Sequence, residues 1–293
     1  MVFGEIESAV ALYERVARFF AARKRKASAS HESVASRFKH LFEAHGVHRN
    51  QIPRFFGHGL NLADMSKDDA LIAKLTEEIL SAACELFAVR REWLDGASDE
   101  VYPCHDFYKN PQDFISFLDD LIAREPTGRL GGFLLSAEET RYPEAALLVL
   151  IEPIGSIGER EIFRYHLCNN WRFSYWKARA YLTACIAIAW KRKVHVLGKK
   201  LPARHIESLV DCRSLIEWHR DGGGYGPGGA LWYPEDMCIK PDLYLAGIDP
   251  ERNQFGMKAA LGLWLELDNA GFMDIGVGES HRNGFEYRLA ELK

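Results

Sequence analysis

The densest run of chemically capable side chains is FRYHLCNNWRFSYWKARAY, residues 163–181. Arg164, His166, Trp171, Arg172, Tyr175 and Arg179 interleave cations with aromatic rings, and Trp232 adds a ring from a distant Gly-rich stretch. Aromatic faces enclose planar groups, and guanidinium groups hold carboxylates or phosphates. These seven residues form the candidate ligand-binding set, and their charge suits an anionic molecule of unknown identity. The simpler reading is structural: the aromatics pack a helix on a sheet, and the cations snorkel to its rim.

Other combinations carry less chemistry. His166 and Cys168 are two apart on a strand and share a face, as a base and nucleophile would. No orienting acid or oxyanion donor is evident, so no catalytic residue is assigned. Cys104-His105 has no matching second ligand pair, so no metal site and no cofactor are assigned. The stretch DGGGYGPGGALWYPED, residues 221–236, lacks the spacing of a phosphate loop. It reads as a loop in which Tyr225, Trp232 and Tyr233 fold over a ligand as a lid.

Several elements must position these groups. GGFLLSAE and AALLVLIEPIG are apolar and bounded by Gly or Pro, as strands are. REIFRYHLC alternates, with Ile162, Arg164, His166 and Cys168 on one side and Phe163, Tyr165 and Leu167 on the other. A long aromatic helix follows over about residues 175–193, then a short strand VHVLG and a helix from Pro202 to about Trp218. A helix around Met257–Asn269 and a last strand FEYRLAEL close the chain. Residues 127–293 therefore read as an α+β domain with an antiparallel sheet and one long helix.

The first third differs. Residues 1–30 carry an amphipathic helix (Ile6, Val10, Tyr13, Ala17, Phe20) and a basic linker, Arg23 to Lys26. Residues 31–98 read as short helices with Gly-marked turns, including a long stretch from about Lys67 to Phe87. Residues 99–126 form a Pro-punctuated connector with a helix over 114–123.

Composition limits the partners. The chain has 293 residues, 47% hydrophobic and 27% charged, with formal net charge −4. It is not a polycation, so nucleic-acid binding requires a local patch. Six scattered cysteines without a C-x-x-C pair read as reduced thiols, and no signal peptide or membrane-length apolar run is visible. Together these suggest a cytoplasmic protein without membrane contact.

The segment SRFKHLFEAHGVHRNQIPRFFG, followed by ILSAACELFAVRREWLDG, resembles the lambda-repressor/Cro-like helix-turn-helix family over about 65 residues. Phe55, Phe56 and Gly57 match the end of that family's second helix. Leu80, Cys84, Phe87, Ala88, Val89, Trp93 and Leu94 match its closing helix and turn. The resemblance implies a recognition helix beginning near His58–Asn61 and running through Ala63, Asp64 and Lys67. It also implies DNA contacts from Arg49, Asn50, Arg54, His58, Asn61, Lys67 and Lys39. Asn61 suits adenine, and Arg49 or Arg54 suits guanine or phosphate. Pro53 lies inside the implied second helix, so that helix must be short or start late. Residues 31–96 hold eight Lys/Arg against ten Asp/Glu, whereas DNA readers neutralise phosphates with cations.

The expected protein is multidomain: an all-α helix-turn-helix-like domain and a C-terminal α+β domain. The expected function is a homodimeric DNA-binding regulator with a ligand-sensing or self-association domain. The N-terminal helix and the 114–123 helix are the expected dimer elements. Two alternatives remain open: an interaction module that keeps the architecture without binding DNA, and an enzyme with its site in the C-terminal half.

Overall fold

The computed structural model describes residues 33–125, 127–138, 143–218, 226–249, 256–276 and 281–292. The expected N-terminal helix, the basic run and Tyr225 lie outside the described residues.

The chain opens with helix α1 (Val34–Ala44), capped by the Ser33 hydroxyl, which accepts from the Ser36 amide. A 3₁₀ turn at Arg49–Gln51 leads into α2 (Ile52–Phe55), with Pro53 in its first turn. The helix thus starts late, with Pro53 where its missing N–H is tolerated, and it is only four residues long, followed by Gly57 at positive φ. Helix α3 (Asp68–Ile72) and α4 (Glu77–Phe87) are separate, because Thr76 caps α4 afresh. The single stretch expected over 67–87 is therefore two helices. Ala88, in the left-handed region, ends α4, and α5 (Arg91–Leu94) follows.

Strand β1 (Cys104–Asp106) and helix α6 (Pro111–Arg124) precede three antiparallel strands, β2 (Gly131–Ala137), β3 (Ala145–Ile157) and β4 (Arg160–Arg172). Helix α7 (Trp176–Lys191) then crosses over to β5 (His195–Leu201). Helix α8 (Ala203–Val210), strand β6 (Ala230–Trp232), α9 (Asp236–Ile239), α10 (Pro241–Leu245), α11 (Gly256–Asn269) and α12 (Arg282–Glu291) complete the described chain.

The sheet order is β1-β4-β3-β2-β5-β6. It is mixed rather than antiparallel: β5 runs parallel to β2, and β1 parallel to β4. The parallel placement of β5 follows from α7, a 16-residue crossover that returns the chain to the end where β4 began, which a hairpin cannot do. The expected last strand FEYRLAEL is helical, forming α12. Its buried residue is Phe285, stacked on Trp264 of α11 at 3.6 Å. One large apolar contact anchors a helix, whereas a strand would need alternate residues buried. Helix α8 ends at Val210, well short of Trp218.

Two apolar cores flank the sheet. One lies between it and α6, α7, α11 and α12; the other lies between it and the helices of residues 34–94 together with α8. Helix α6 turns Phe114, Leu118 and Leu121 into the first core, so the apolar face expected to pair copies of the chain is used internally. The second core is continuous from Phe38, Phe42 and Phe87 to Phe133, Tyr165 and Trp218 on the sheet. His45 packs between Phe87 and Tyr165, with ring centroids at 4.3 and 5.4 Å. Arg160 donates to the Gly46 carbonyl, pinning the β3–β4 hairpin to the end of α1.

The cysteines are not all reduced thiols. Cys104 and Cys212 are disulfide-bonded across 108 residues, while Cys84, Cys168, Cys185 and Cys238 are free and buried. Pairing of β1 with β4 and the turn after α8 bring the two together, and the backbone amides of Val101 and Tyr102 donate to the Cys212 carbonyl. That proximity is tertiary and leaves no spacing signal. Among the described residues no helix is long and apolar enough to cross a membrane.

Candidate functional site

Arg179 lies one turn into α7, at 1% exposure. Its Nε donates to the Phe173 carbonyl at 3.0 Å, and its Nη1 to the carbonyls of Tyr244 and Ala246 at 2.9 and 3.0 Å. These last two lie at the C-terminal end of α10, where carbonyls lack helical partners. The guanidinium also sits over the Phe173 ring at 3.6 Å. Among the described residues no carboxylate pairs with it, and its buried Nη2 has no acceptor. Burial pushes the guanidinium down to about 9.

Arg179 lines a cavity of about 230 Å³ with Ser136, Phe173, Lys200, Trp232, Tyr233, Asp236, Met237, Leu243 and Ala246. The strands dictate this convergence. Ser136 and Lys200 are register partners one residue before the ends of β2 and β5, and β6 carries Trp232 over β5. Gly198 permits the close approach, because a Cβ there would stand 2.3 Å from the Trp232 ring. Trp232 Nε1 is buried and likewise without a partner. Leu231, Tyr233 and Leu243 expose much of their apolar surface nearby. Asp236 is held by Lys240 at 2.8 Å.

The candidate ligand-binding set therefore divides. Arg179 and Trp232 meet in this cavity. Arg164 and His166 belong to a separate buried cluster on β3 and β4, where Arg164 Nε and His166 Nε2 meet Glu152 Oε2 at 2.7 and 2.8 Å. Burial alone would raise the Glu152 carboxyl, but bonds from His166 and Arg164 outweigh it and hold it low. Burial lowers His166 against the pull of Glu152. Trp171 is structural: buried, its indole donates to the Cys168 carbonyl at 3.0 Å. Arg172 is exposed opposite Glu144, and Tyr175 caps α7; neither lines the cavity. Sequence reasoning missed Ser136, Lys200, Asp236 and Met237, whose only signal is position at strand ends or in short helices.

The candidate DNA residues do not lie on a recognition helix. Residues 58–66 form turns, not a helix. Gly57, His58 and Gly59 all take positive φ, which forbids helix propagation. Asn61 accepts from the amides of Ala63 and Asp64, and Asp64 accepts from the Asn61 amide, closing a local loop. Lys67 is exposed before α3. Lys39 pairs with Asp68, and Arg49 with Glu43 at 2.9 Å. Asn50 is exposed in the 3₁₀ turn. Arg54 and His58 line a broad cleft of about 650 Å³ with Gln51, Phe55, Phe56, Glu85, Leu86, Arg164 and the β3–β4 hairpin. The cleft is the larger opening, but its Arg164 is already bound by Glu152 and the Glu85 carbonyl.

Among the described residues no group of three or more His, Cys, Asp or Glu is placed to hold a metal ion. Compared with known proteins, the chain matches no family model, no curated protein and no solved structure.

Proposed function

We propose that this chain is a small-molecule-responsive regulator rather than an enzyme. Its α+β part holds a small organic ligand in the Arg179 cavity, and its helical part relays the bound state to a macromolecular partner. The observation that carries this reading is two buried donors, Arg179 Nη2 and Trp232 Nε1, both unpartnered on residues lining one cavity. Buried donors are nearly always satisfied, so two unpartnered donors on residues lining one cavity favour a ligand there. Cys168, Cys185 and Cys238 are buried, and burial pushes their thiols up, away from the reactive thiolate.

The test is a mixed set of neutral, cationic and anionic fragments, screened by ligand-observed NMR. Wild type is compared with Leu243→Trp, which fills the cavity from a partly exposed position. Fragments that bind wild type and are lost in the variant support the reading. A set with no such fragment overturns it.

For the partner of residues 33–98, the turn at 58–66 and the paired Lys39 and Arg49 favour a protein surface. DNA binding is the second reading, favoured by exposed Arg54 on α2 and His58 just after it. Titration with random duplex DNA at low and moderate salt tests it, with Arg49→Ala/Arg54→Ala alongside. Salt-sensitive binding lost in the variant supports DNA; no binding at low salt removes it.

A further inference from the structure

We propose that the ligand of the Arg179 cavity is a small organic carboxylate, a monoanion attached to a single flat apolar group. This rests on the small-molecule reading above and names the ligand class.

The structural work of Arg179 accounts for two of its three nitrogens. Nε and Nη1 clamp the carbonyls of Phe173, Tyr244 and Ala246. Nη2 lies outside that clamp, buried and without an acceptor. Among the described residues this buried cation faces carbonyl dipoles, the Phe173 ring and the Met237 sulfur but no counter-charge, which is costly in a low-dielectric interior. The lowered guanidinium pKa expresses the same cost. A negative group reaching Nη2 relieves both the missing bond and the missing charge.

The cavity wall sets the rest of the ligand. Lys200 adds a second cation, and Asp236 is already neutralised by Lys240. Two cations disfavour a cationic ligand. One unpartnered guanidinium nitrogen and one ammonium, both on residues lining the cavity, suit two carboxylate oxygens. A phosphate dianion spreads its charge over three oxygens and meets too few donors. Phe173, Trp232, Met237 and Leu243 supply the apolar remainder, and about 230 Å³ admits one ring rather than a nucleotide.

The test uses the full chain with phenylacetate, its neutral analogue phenylacetamide, and phenyl phosphate. Titration calorimetry gives the affinities in wild type, Lys200→Gln, Leu243→Trp and Arg179→Lys. Phenylacetate is expected to bind roughly tenfold or more tighter than phenylacetamide, as a charge-assisted bond implies. Lys200→Gln is expected to weaken phenylacetate and leave phenylacetamide unchanged, and Leu243→Trp to abolish both. Arg179→Lys can lose the carbonyl clamp and unfold, so the amide comparison and Lys200→Gln carry the decision. Equal binding of acid and amide, or tighter binding of phenyl phosphate, overturns the carboxylate. So does a fragment set whose cavity-dependent members include no acid; in these cases the small-molecule reading stands. If no probe or fragment distinguishes wild type from Leu243→Trp, both fail together.

Discussion

Glu152, His166 and His105 show how individual residues set the acid tolerance of this protein. His105 packs on Phe117 at 4.4 Å and faces His166 at 6.4 Å. Burial, then the neighbouring His166, pushes it down to about 4. In the unfolded chain a histidine takes up its proton near pH 6.5. Between those values the unfolded state binds more protons, so stability falls as pH drops from about 6.5 to about 4. His166 is shifted in the same direction, and Glu152 extends the loss below the ordinary carboxylate range. A steady fall in Tm between pH 7 and 4 is expected, made shallower by His105→Phe; a flat profile would sink this account. At Gly198, alanine would drive a methyl group into the Trp232 ring. Gly198→Ala is expected to shift tryptophan fluorescence and to weaken any ligand of the Arg179 cavity, which equal affinity in the variant would refute. Thiol titration of the denatured, unreduced protein is expected to count four cysteines, rising to six after reduction.

Elements follow local rules wherever burial is not decided elsewhere. Ser33 and Thr76 cap α1 and α4, and Pro53 and Pro111 sit in first turns. Replacing the Thr76 cap with Ala is expected to cost about 1 kcal/mol, read from chemical denaturation. A change indistinguishable from zero would show that packing of α4 alone fixes its start. The strands β2 to β4 and the crossover helix α7 were legible as apolar runs in the sequence. The antiparallel sheet and the last strand were not, because periodicity reports which residues are buried and not the direction of the neighbouring strand. FEYRLAEL carries both alternation and helix formers; stacking of Phe285 on Trp264 selects the helix.

At the scale of the molecule, residues 34–94 and the sheet share one core. The Phe42–Phe87 pair at 4.9 Å leads through His45 to Tyr165, and Tyr165 meets Trp218 at 5.3 Å. A fragment of residues 33–98 would expose this surface, so it is expected to lack cooperative unfolding by circular dichroism. The whole chain is expected to unfold with this region and the sheet together. A cooperative transition in the fragment would show the helices to be self-sufficient. The Arg179 cavity lies on the other core, so the relay proposed above would have to cross the sheet that separates the two.

The sequence by itself determined the apolar strands β2 to β4, the buried helix α7, the presence of short helices with Gly-marked turns and the clustering of cations with aromatics. These follow from local periodicity and backbone chemistry, which act within a few residues. Only the tertiary structure decided which of those groups meet. It joined Arg179 to Trp232 and Lys200, and diverted Arg164 and His166 to Glu152. It bonded Cys104 to Cys212, and it denied residues 58–66 a recognition helix through consecutive positive φ angles. Such meetings depend on strand order and crossover direction, which bring distant residues together across separations that no local pattern records.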